Sequence, residues 1–182
     1  MSSGEAPLAA RTRSVDETRA LAGSVATLSR PGDLILLSGD LGAGKTAFVQ
    51  GFGRALGVTG RITSPTFTLA QRYEAERGDG ELVLHHLDVY RLNQLGEFRD
   101  LGVDELLDDG GMVLIEWGDA VVPGLPTGYL HDHLDVRLTF GEDVDERALR
   151  MRPVGARWFE RRQKLAQAIA IWAENNHVDP GH

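Results

Sequence analysis

Residues 39–46, with the sequence GDLGAGKT, constrain the fold more than any other part of the chain. They lie between an apolar run, LILLS at 34–38, and the segment AFVQGFGRAL, which has the composition of a helix. A G-x-x-x-x-G-K-T pattern that joins a strand to a helix is typical of a phosphate-binding loop. The pattern therefore predicts an α/β domain in which a β-strand carries this loop.

The residue types within the loop explain how it would hold a phosphate chain. Gly39, Gly42 and Gly44 allow positive φ angles without a Cβ clash, so successive backbone N–H groups can point towards an anion. The helix that follows adds the partial positive charge of its N-terminus. Lys45 supplies a compact charge for the β- and γ-phosphates, and the Thr46 hydroxyl suits Mg²⁺. We therefore expect a nucleoside triphosphate with Mg²⁺, bound by the whole loop: Gly39, Asp40, Leu41, Gly42, Ala43, Gly44, Lys45 and Thr46.

Length and composition indicate a single domain without disulfides. The 182 residues are enough to bury a core, and the chain contains no cysteine. With 27 acidic and 19 basic side chains the formal net charge is −8, so bulk electrostatics would not attract nucleic acid. No apolar run reaches the length of about 18 residues that a membrane span needs. The N-terminal stretch lacks the apolar core of a signal peptide, so we expect a cytoplasmic protein with no membrane partner.

Apolar patterns along the rest of the chain predict further elements. Ser14 and Glu17 have the spacing of a capping box, so a helix is expected from 15 to about 29. Buried strands are predicted at 82–90 and 112–117. Strict alternation predicts a strand over 134–140, with 146–154 as its hairpin partner. A C-terminal helix is predicted over 156–175.

Together these elements predict a three-layer P-loop NTPase domain of the α/β class. Its sheet should be mixed and mainly parallel, with a late antiparallel hairpin and a C-terminal helix. The predicted boundaries are a disordered tail at 1–13, the P-loop ATPase domain at 14–154, the C-terminal helix packed on it at 155–176 and a tail at 177–182.

Two carboxylates follow apolar stretches and are candidates for chemistry at the phosphate loop. Asp88 comes late in LVLHHLDVYR, and Glu116 closes MVLIEW. Phosphoryl transfer needs a second contact to Mg²⁺ and a group that positions the attacking water, and carboxylates at strand ends can supply both. Each carboxylate taken alone could also be a solvated strand end.

The sequence does not decide the roles of Thr66, of Arg91 or of the pair His85 and His86. Thr66, in the loop TSPTF, could sense the γ-phosphate as switch loops do, or it could belong to a plain Ser-Pro turn. Arg91 could pair with phosphate or with a carboxylate. No arginine adjoins the phosphate loop in sequence, so Arg91 is expected to be the only near candidate beside a catalytic block. Of His85 and His86, at least one should pack.

Four segments of the sequence are GDLGAGKT, TSPTF, HLDVYR and IEWGD. Their order and their separations along the chain resemble those of the bacterial TsaE proteins, also called the YjeE family. The resemblance covers residues 14–150. It implies a small ATPase that acts with two proteins, TsaB and TsaD, to make threonylcarbamoyladenosine at position 37 of tRNAs reading ANN codons. The family's tRNA contact would then be indirect, through the complex.

The same resemblance implies roles for single residues. Lys45 would bind phosphate, while Thr46 and Glu116 would bind Mg²⁺. Asp88 would assist hydrolysis, and Trp117 would sit beside the nucleotide. The catalytic set is thus Lys45, Asp88 and Glu116, and hydrolysis should be slow for the chain alone and faster with its partners.

The C-terminal stretch from 157 onwards extends beyond the family pattern. Its first half is basic, with Arg157, Arg161, Arg162 and Lys164. One interpretation is a helix docked by its tryptophan face with the arginines in water. The other is a contact for tRNA or for a partner protein.

Two other functions are compatible with a phosphate loop. A small-metabolite P-loop kinase would need a substrate pocket and an arginine-bearing lid, and the available arginines are scattered. A GTP-binding switch would need an N-K-x-D motif, and none of Asn93, Asn175 and Asn176 begins one. The base pocket stays unplaced, with residues 14–18 and the late hairpin as possible walls.

Overall fold

A single seven-stranded sheet organises the chain. The computed structural model describes residues 6–65, 69–78, 80–90, 95–125 and 127–173. Its strands are β1 (Leu8–Thr12), β2 (Leu34–Ser38), β3 (Ala70–Arg77), β4 (Gly80–Asp88), β5 (Met112–Glu116), β6 (His133–Phe140) and β7 (Arg147–Val154). Its helices are α1 (Val15–Ala26), α2 (Lys45–Leu56), α3 (Leu95–Arg99), α4 (Val103–Asp108), α5 (Thr127–Leu130), α6 (Ala156–Phe159) and α7 (Arg162–Ala168). Short 3₁₀ turns cover Gly118–Ala120, Val122–Gly124 and Ala170–Trp172.

The strand order is β1-β7-β6-β2-β5-β4-β3. The four central strands β6, β2, β5 and β4 are parallel, whereas β7 and β3 pair antiparallel with their inner neighbours. Because β1 is antiparallel to β7, five of the seven strands point the same way. The predicted mixed, mainly parallel sheet and its late antiparallel hairpin are confirmed.

Apolar side chains on the two faces of the sheet form two separate cores. On one face α1, α2 and α7 cover the sheet, with Leu21, Phe48 and Leu165 in the core. On the other face α3, α4 and the turns after β5 cover it, with Phe98 and Val103 in the core. Alternate residues of β2 point to opposite cores, as the two-residue period of a strand requires. The predicted three-layer architecture is confirmed.

Helices α1 and α2 approach each other unusually closely. A Cβ atom added to Gly51 would lie 2.1 Å from the carbonyl oxygen of Arg19, and one added to Gly23 would lie 3.4 Å from Cβ of Ala55. Gly51 therefore costs helix stability but permits backbone contact that any side chain would block. At its start, α1 has the predicted cap, because the Glu17 N–H donates to Oγ of Ser14 at 3.1 Å.

The prediction that residues 1–13 are a disordered tail is wrong for β1, which spans Leu8–Thr12. Burial alternates over the second half of this strand, where Ala10 and Thr12 are fully buried and Arg11 is exposed. Such a short strand has a weak sequence pattern, and its pairing partner β7 is more than 130 residues away in the chain. Pairing with the late hairpin stabilises the strand.

The prediction of one continuous C-terminal helix is also wrong. The segment divides into α6, α7 and the 3₁₀ turn Ala170–Trp172; residues beyond 173 lie outside the described part. At the break, Arg161 turns inward and pairs with Asp33 at 2.6 and 2.9 Å. Its guanidinium lies 4.0 Å from the ring centroid of buried Trp158. Arg161 is therefore not in water, and together with Arg157, which also contacts Asp33, it fastens this segment to the domain.

Within the described residues, no helix is long and apolar enough to cross a membrane.

Candidate nucleotide-binding site

The phosphate-loop pattern joins β2 to α2, as the sequence predicts. Gly39, Gly42 and Gly44 have φ angles of 138°, 83° and 104°. A Cβ at Gly39 would lie only 2.2 Å from the carbonyl oxygen of Leu138 on β6, so only glycine fits there. Helix α2 begins at Lys45, and its free N–H groups therefore face the loop. This geometry can accept an anion.

Lys45 is buried and lies across the loop. Its Nζ donates to the carbonyl oxygens of Gly39 at 2.7 Å and Asp40 at 2.9 Å, and it lies 3.7 Å from the centre of the Trp117 ring. Burial lowers the pKa of Lys45 from its ordinary value, and the negative charges of Glu116 and Asp88 oppose that shift. The ammonium is thus held beside the loop by acceptors that a phosphate oxygen could replace.

Trp117 has an unusual backbone conformation that places its ring over Lys45. Its φ angle is 63°, in the left-handed region that non-glycine residues rarely adopt. Such a conformation costs on the order of 1–3 kcal/mol and persists only where the surroundings impose it. The ring also packs on Tyr90, with 4.7 Å between centroids. The family resemblance implies Trp117 beside the nucleotide, but the sequence gives no signal of this backbone strain.

The two candidate carboxylates lie at the same edge of the sheet. In the parallel register Asp88 of β4 pairs with Glu116 of β5, which in turn pairs with Leu37 just before the loop. Both carboxylates are almost fully buried, at 5% and 3% exposure. The structure thus brings them together beside the phosphate loop.

Glu116 contacts the first turn of α2. Oγ1 of Thr46 donates to Oε1 of Glu116 at 2.8 Å, and Nε2 of His86 lies 2.8 Å from the same oxygen. A hydroxyl and a carboxylate side by side at a phosphate loop are oxygen ligands of the kind that Mg²⁺ prefers. The described residues contain no cluster of three or more His, Cys, Asp and Glu that could hold a metal. Mg²⁺ would thus depend on Thr46, Glu116, water and phosphate, as is common for this ion.

His86 is a site residue whose position the sequence did not resolve. It is fully buried and contacts Glu116, whereas its neighbour His85 points to the other face of β4. A signal was present, because His86 and Asp88 are two residues apart and therefore share one face of the strand.

Asp88 is held by two hydrogen bonds. Oγ of Ser64 donates to its Oδ2 at 2.6 Å, and the N–H of Tyr90 donates to its Oδ1 at 3.1 Å. Ser64 precedes Thr66, but Thr66 lies outside the described residues, as does Arg91. The loop that contains Ser64 therefore reaches the site through a serine that the sequence did not single out.

An arginine lies beside the phosphate loop although none adjoins it in sequence, so the expectation that Arg91 is the only near candidate is wrong. Arg147, at the start of β7, donates to the carbonyl oxygen of Gly42 at 3.4 Å. It also donates to the carbonyl oxygens of Val144 and Glu146, and its guanidinium lies 4.7 Å from the Phe140 ring centroid. These contacts attach the late hairpin to the loop.

A central parallel sheet, a glycine-rich loop leading into α2 and paired carboxylates at the same sheet edge define a P-loop NTPase-like α/β domain. The family model described as "Threonylcarbamoyl adenosine biosynthesis protein TsaE" matches residues 12–149. The chain belongs to the TsaE family.

Individual relatives agree with this assignment. A Bacillus subtilis (strain 168) protein named tRNA threonylcarbamoyladenosine biosynthesis protein TsaE is 40% identical over 148 residues, which cover 81% of this chain and 87% of that protein. A Streptomyces coelicolor protein of the same name is 42% identical over 142 residues, 77% of this chain and 93% of that protein. The crystal structure of Bacillus subtilis YdiB superimposes with a TM-score of 0.72 at 34% identity and covers 91% of this chain and 98% of its own.

Proposed function

We propose that this chain binds and hydrolyses ATP with Mg²⁺ in threonylcarbamoyladenosine modification of tRNA, acting with TsaB and TsaD at position 37 of tRNAs that read ANN codons. The observation that carries the proposal is the 2.8 Å contact between Thr46 and Glu116, in the first turn after an intact phosphate loop. The proposed role in tRNA modification rests on membership of the TsaE family, because the relatives of this chain are named tRNA threonylcarbamoyladenosine biosynthesis proteins.

The loop and Lys45 would bind the triphosphate. Backbone N–H groups of the loop would bind the anion, and Lys45 would exchange the carbonyl oxygens of Gly39 and Asp40 for phosphate oxygens. Thr46 and Glu116 would hold Mg²⁺, which, when bound, neutralises charge on the β- and γ-phosphates. His86 would keep the Glu116 carboxylate turned towards Thr46.

Asp88 would position the attacking water. Its two hydrogen bonds, from Ser64 and from the Tyr90 N–H, fix the plane of the carboxylate next to Glu116. Hydrolysis needs this orientation because the water must approach in line with the leaving group. Thr66, two residues beyond Ser64, is proposed to contact the γ-phosphate, and Trp117 to lie beside the nucleotide.

Lys45→Ala should weaken ATP binding by about 10–100-fold, the loss expected when a charged hydrogen bond worth about 1.5–3 kcal/mol is removed. Isothermal titration of the full chain with ATP and Mg²⁺ measures this effect. Lys164→Ala is the matched control, because Lys164 is exposed on α7. A folded Lys45→Ala variant with unchanged ATP affinity would contradict the phosphate-loop assignment.

The modification itself is tested by reconstitution. Purified TsaB, TsaD, a tRNA reading an ANN codon and the substrates of the reaction are incubated with the wild type, with Lys45→Ala or without the chain. We expect multiple-turnover formation of threonylcarbamoyladenosine only with the wild type. The product is measured by mass spectrometry of tRNA nucleosides. Equal product without the chain would remove the proposed role in modification while leaving ATP binding untouched.

A further inference from the structure

A cleft with a volume of about 860 Å³ lies on the outer side of α1 and α2, away from the carboxylates. Helices α1 and α2 form two of its walls, and residues 58–62 form the third. Among the residues that line it, three are arginines, Arg19, Arg54 and Arg61, and one, Asp16, is acidic. The lining is thus positive, in a chain whose formal net charge is −8.

The three arginines differ in how they are held. Arg19 is fixed, because it donates to Asp16 at 2.8 Å and to Oε1 of Gln50 at 3.2 and 3.0 Å. Arg54 and Arg61 are exposed, and in the described part of the chain their side chains make no hydrogen bond or ion pair. A guanidinium group presents a planar fork that matches the two oxygens of a carboxylate or of a phosphate. The cleft therefore offers donors suited to an anionic occupant.

The floor of the cleft favours a helix over a nucleic acid. It is built of small residues, Ala20, Gly23, Gly51 and Ala55, where α1 and α2 approach closely. A smooth floor between two helices suits an amphipathic helix lying in a groove. Single-stranded nucleic acid is usually held by stacking on aromatic rings, and no aromatic residue is among the described residues that line the cleft.

The cleft is connected to the candidate site through residues 62–64. Nε2 of Gln50 donates to the carbonyl oxygen of Ile62 at 3.0 Å, so the arginine-lined wall holds the start of this segment. Two residues later, Ser64 donates to Asp88. An occupant that contacts Arg61 and Ile62 would therefore contact the same segment that orients Asp88.

We propose that this cleft docks an acidic helix of a partner protein, whose carboxylates at i and i+3 or i+4 spacing pair with Arg54 and Arg61. The inference rests on the proposed function, because it requires a partner protein that acts on the nucleotide site. It adds a location and a chemistry for one part of that contact, on the α1–α2 side of the domain.

The test uses the full chain with ATP and Mg²⁺ and the purified TsaB–TsaD complex as the probe. Arg54→Glu and Arg61→Glu should each raise the dissociation constant for that complex by about tenfold or more, since each places like charges opposite one another. Arg150→Glu, which makes the same charge change at an exposed position on β7, should leave it unchanged. ATP affinity of the isolated chain should be the same in all four proteins.

Three outcomes would overturn the proposal, and they are distinguishable. If the wild type binds the complex and both cleft variants bind equally well, the cleft assignment alone is wrong. If the wild type does not bind, the partnership in the proposed function fails and this inference fails with it. If the cleft variants keep their affinity for the complex but lose binding of tRNA by the isolated chain, the cleft is a nucleic-acid site instead.

Discussion

Glu116→Ala should lower the rate of ATP hydrolysis by about 100–1,000-fold, the loss typical when one electrostatic group of a transition state is removed. The expected fall in ATP affinity is much smaller, because backbone N–H groups and Lys45 supply most of the ground-state contacts. The physical reason is the position of the carboxylate at the end of β5, 2.8 Å from the Thr46 hydroxyl. Without this carboxylate, Mg²⁺ would have one protein ligand fewer at the point where negative charge develops in the transition state.

Single-turnover hydrolysis and ATP titration separate the two effects. Glu81→Ala, at an exposed position early in β4, is the matched control. Glu116→Gln keeps the shape and the contact to Thr46 but removes the charge, so it should resemble Glu116→Ala in rate and the wild type in stability. Full hydrolytic activity in a folded Glu116→Ala protein would withdraw the Mg²⁺ role of this residue.

Asp88→Ala should also reduce hydrolysis more than ATP binding, but for a different reason. Asp88 is oriented by Ser64 and by the Tyr90 N–H, so its proposed work is on the attacking water rather than on the metal. The dependence of the rate on Mg²⁺ concentration should therefore shift in Glu116→Ala and stay as in the wild type in Asp88→Ala. The same shift in both variants would contradict this division of roles.

Local signals in the sequence were sufficient for the centre of the fold. The phosphate loop requires a strand before it and a helix after it, and β2 and α2 begin and end close to where the pattern places them. Asp88 and Glu116 were predicted to lie beside the phosphate loop, each at the end of a strand, and the register places them next to each other at that edge of the sheet. Each inference used the order and spacing of residues along one short segment.

The features that the sequence missed depend on contacts between distant segments. Strand β1 is paired with β7, and Arg161 is buried against Asp33 across 128 positions. Arg147 reaches Gly42 across 105 positions, a contact that only the return of the late hairpin creates. No periodicity encodes such pairings, because they follow from which strands become neighbours in the sheet.

Partner proteins should raise steady-state ATP hydrolysis by this chain, which we expect to be slow on its own. Transfer of a phosphoryl group usually needs a cation in addition to Lys45 and Mg²⁺. Arg147 lies near the loop, but its guanidinium is already bound to the carbonyl oxygens of Val144, Glu146 and Gly42. In other phosphate-loop enzymes, an arginine supplied by a partner protein can accelerate hydrolysis by about 10³–10⁵-fold. We take this range as the upper limit for stimulation of this chain.

A titration of purified TsaB and TsaD into a steady-state ATPase assay measures this acceleration, with Glu116→Ala as the background control. A partner can act by adding a cation or by fixing the segment from Ile62 to Ser64, which orients Asp88. The variant Ser64→Ala distinguishes these two routes. If the partner acts by fixing the segment, the variant should lose stimulation, because Asp88 is no longer oriented. If the partner acts by adding a cation, it should still stimulate the variant.

A fast rate for the chain alone, unchanged by partners, would show that the site is self-sufficient. Transfer of labelled phosphate to a small molecule would then favour a kinase. A slow rate that partners leave unchanged would instead remove the proposed partnership, because nothing else in that mixture could complete the site.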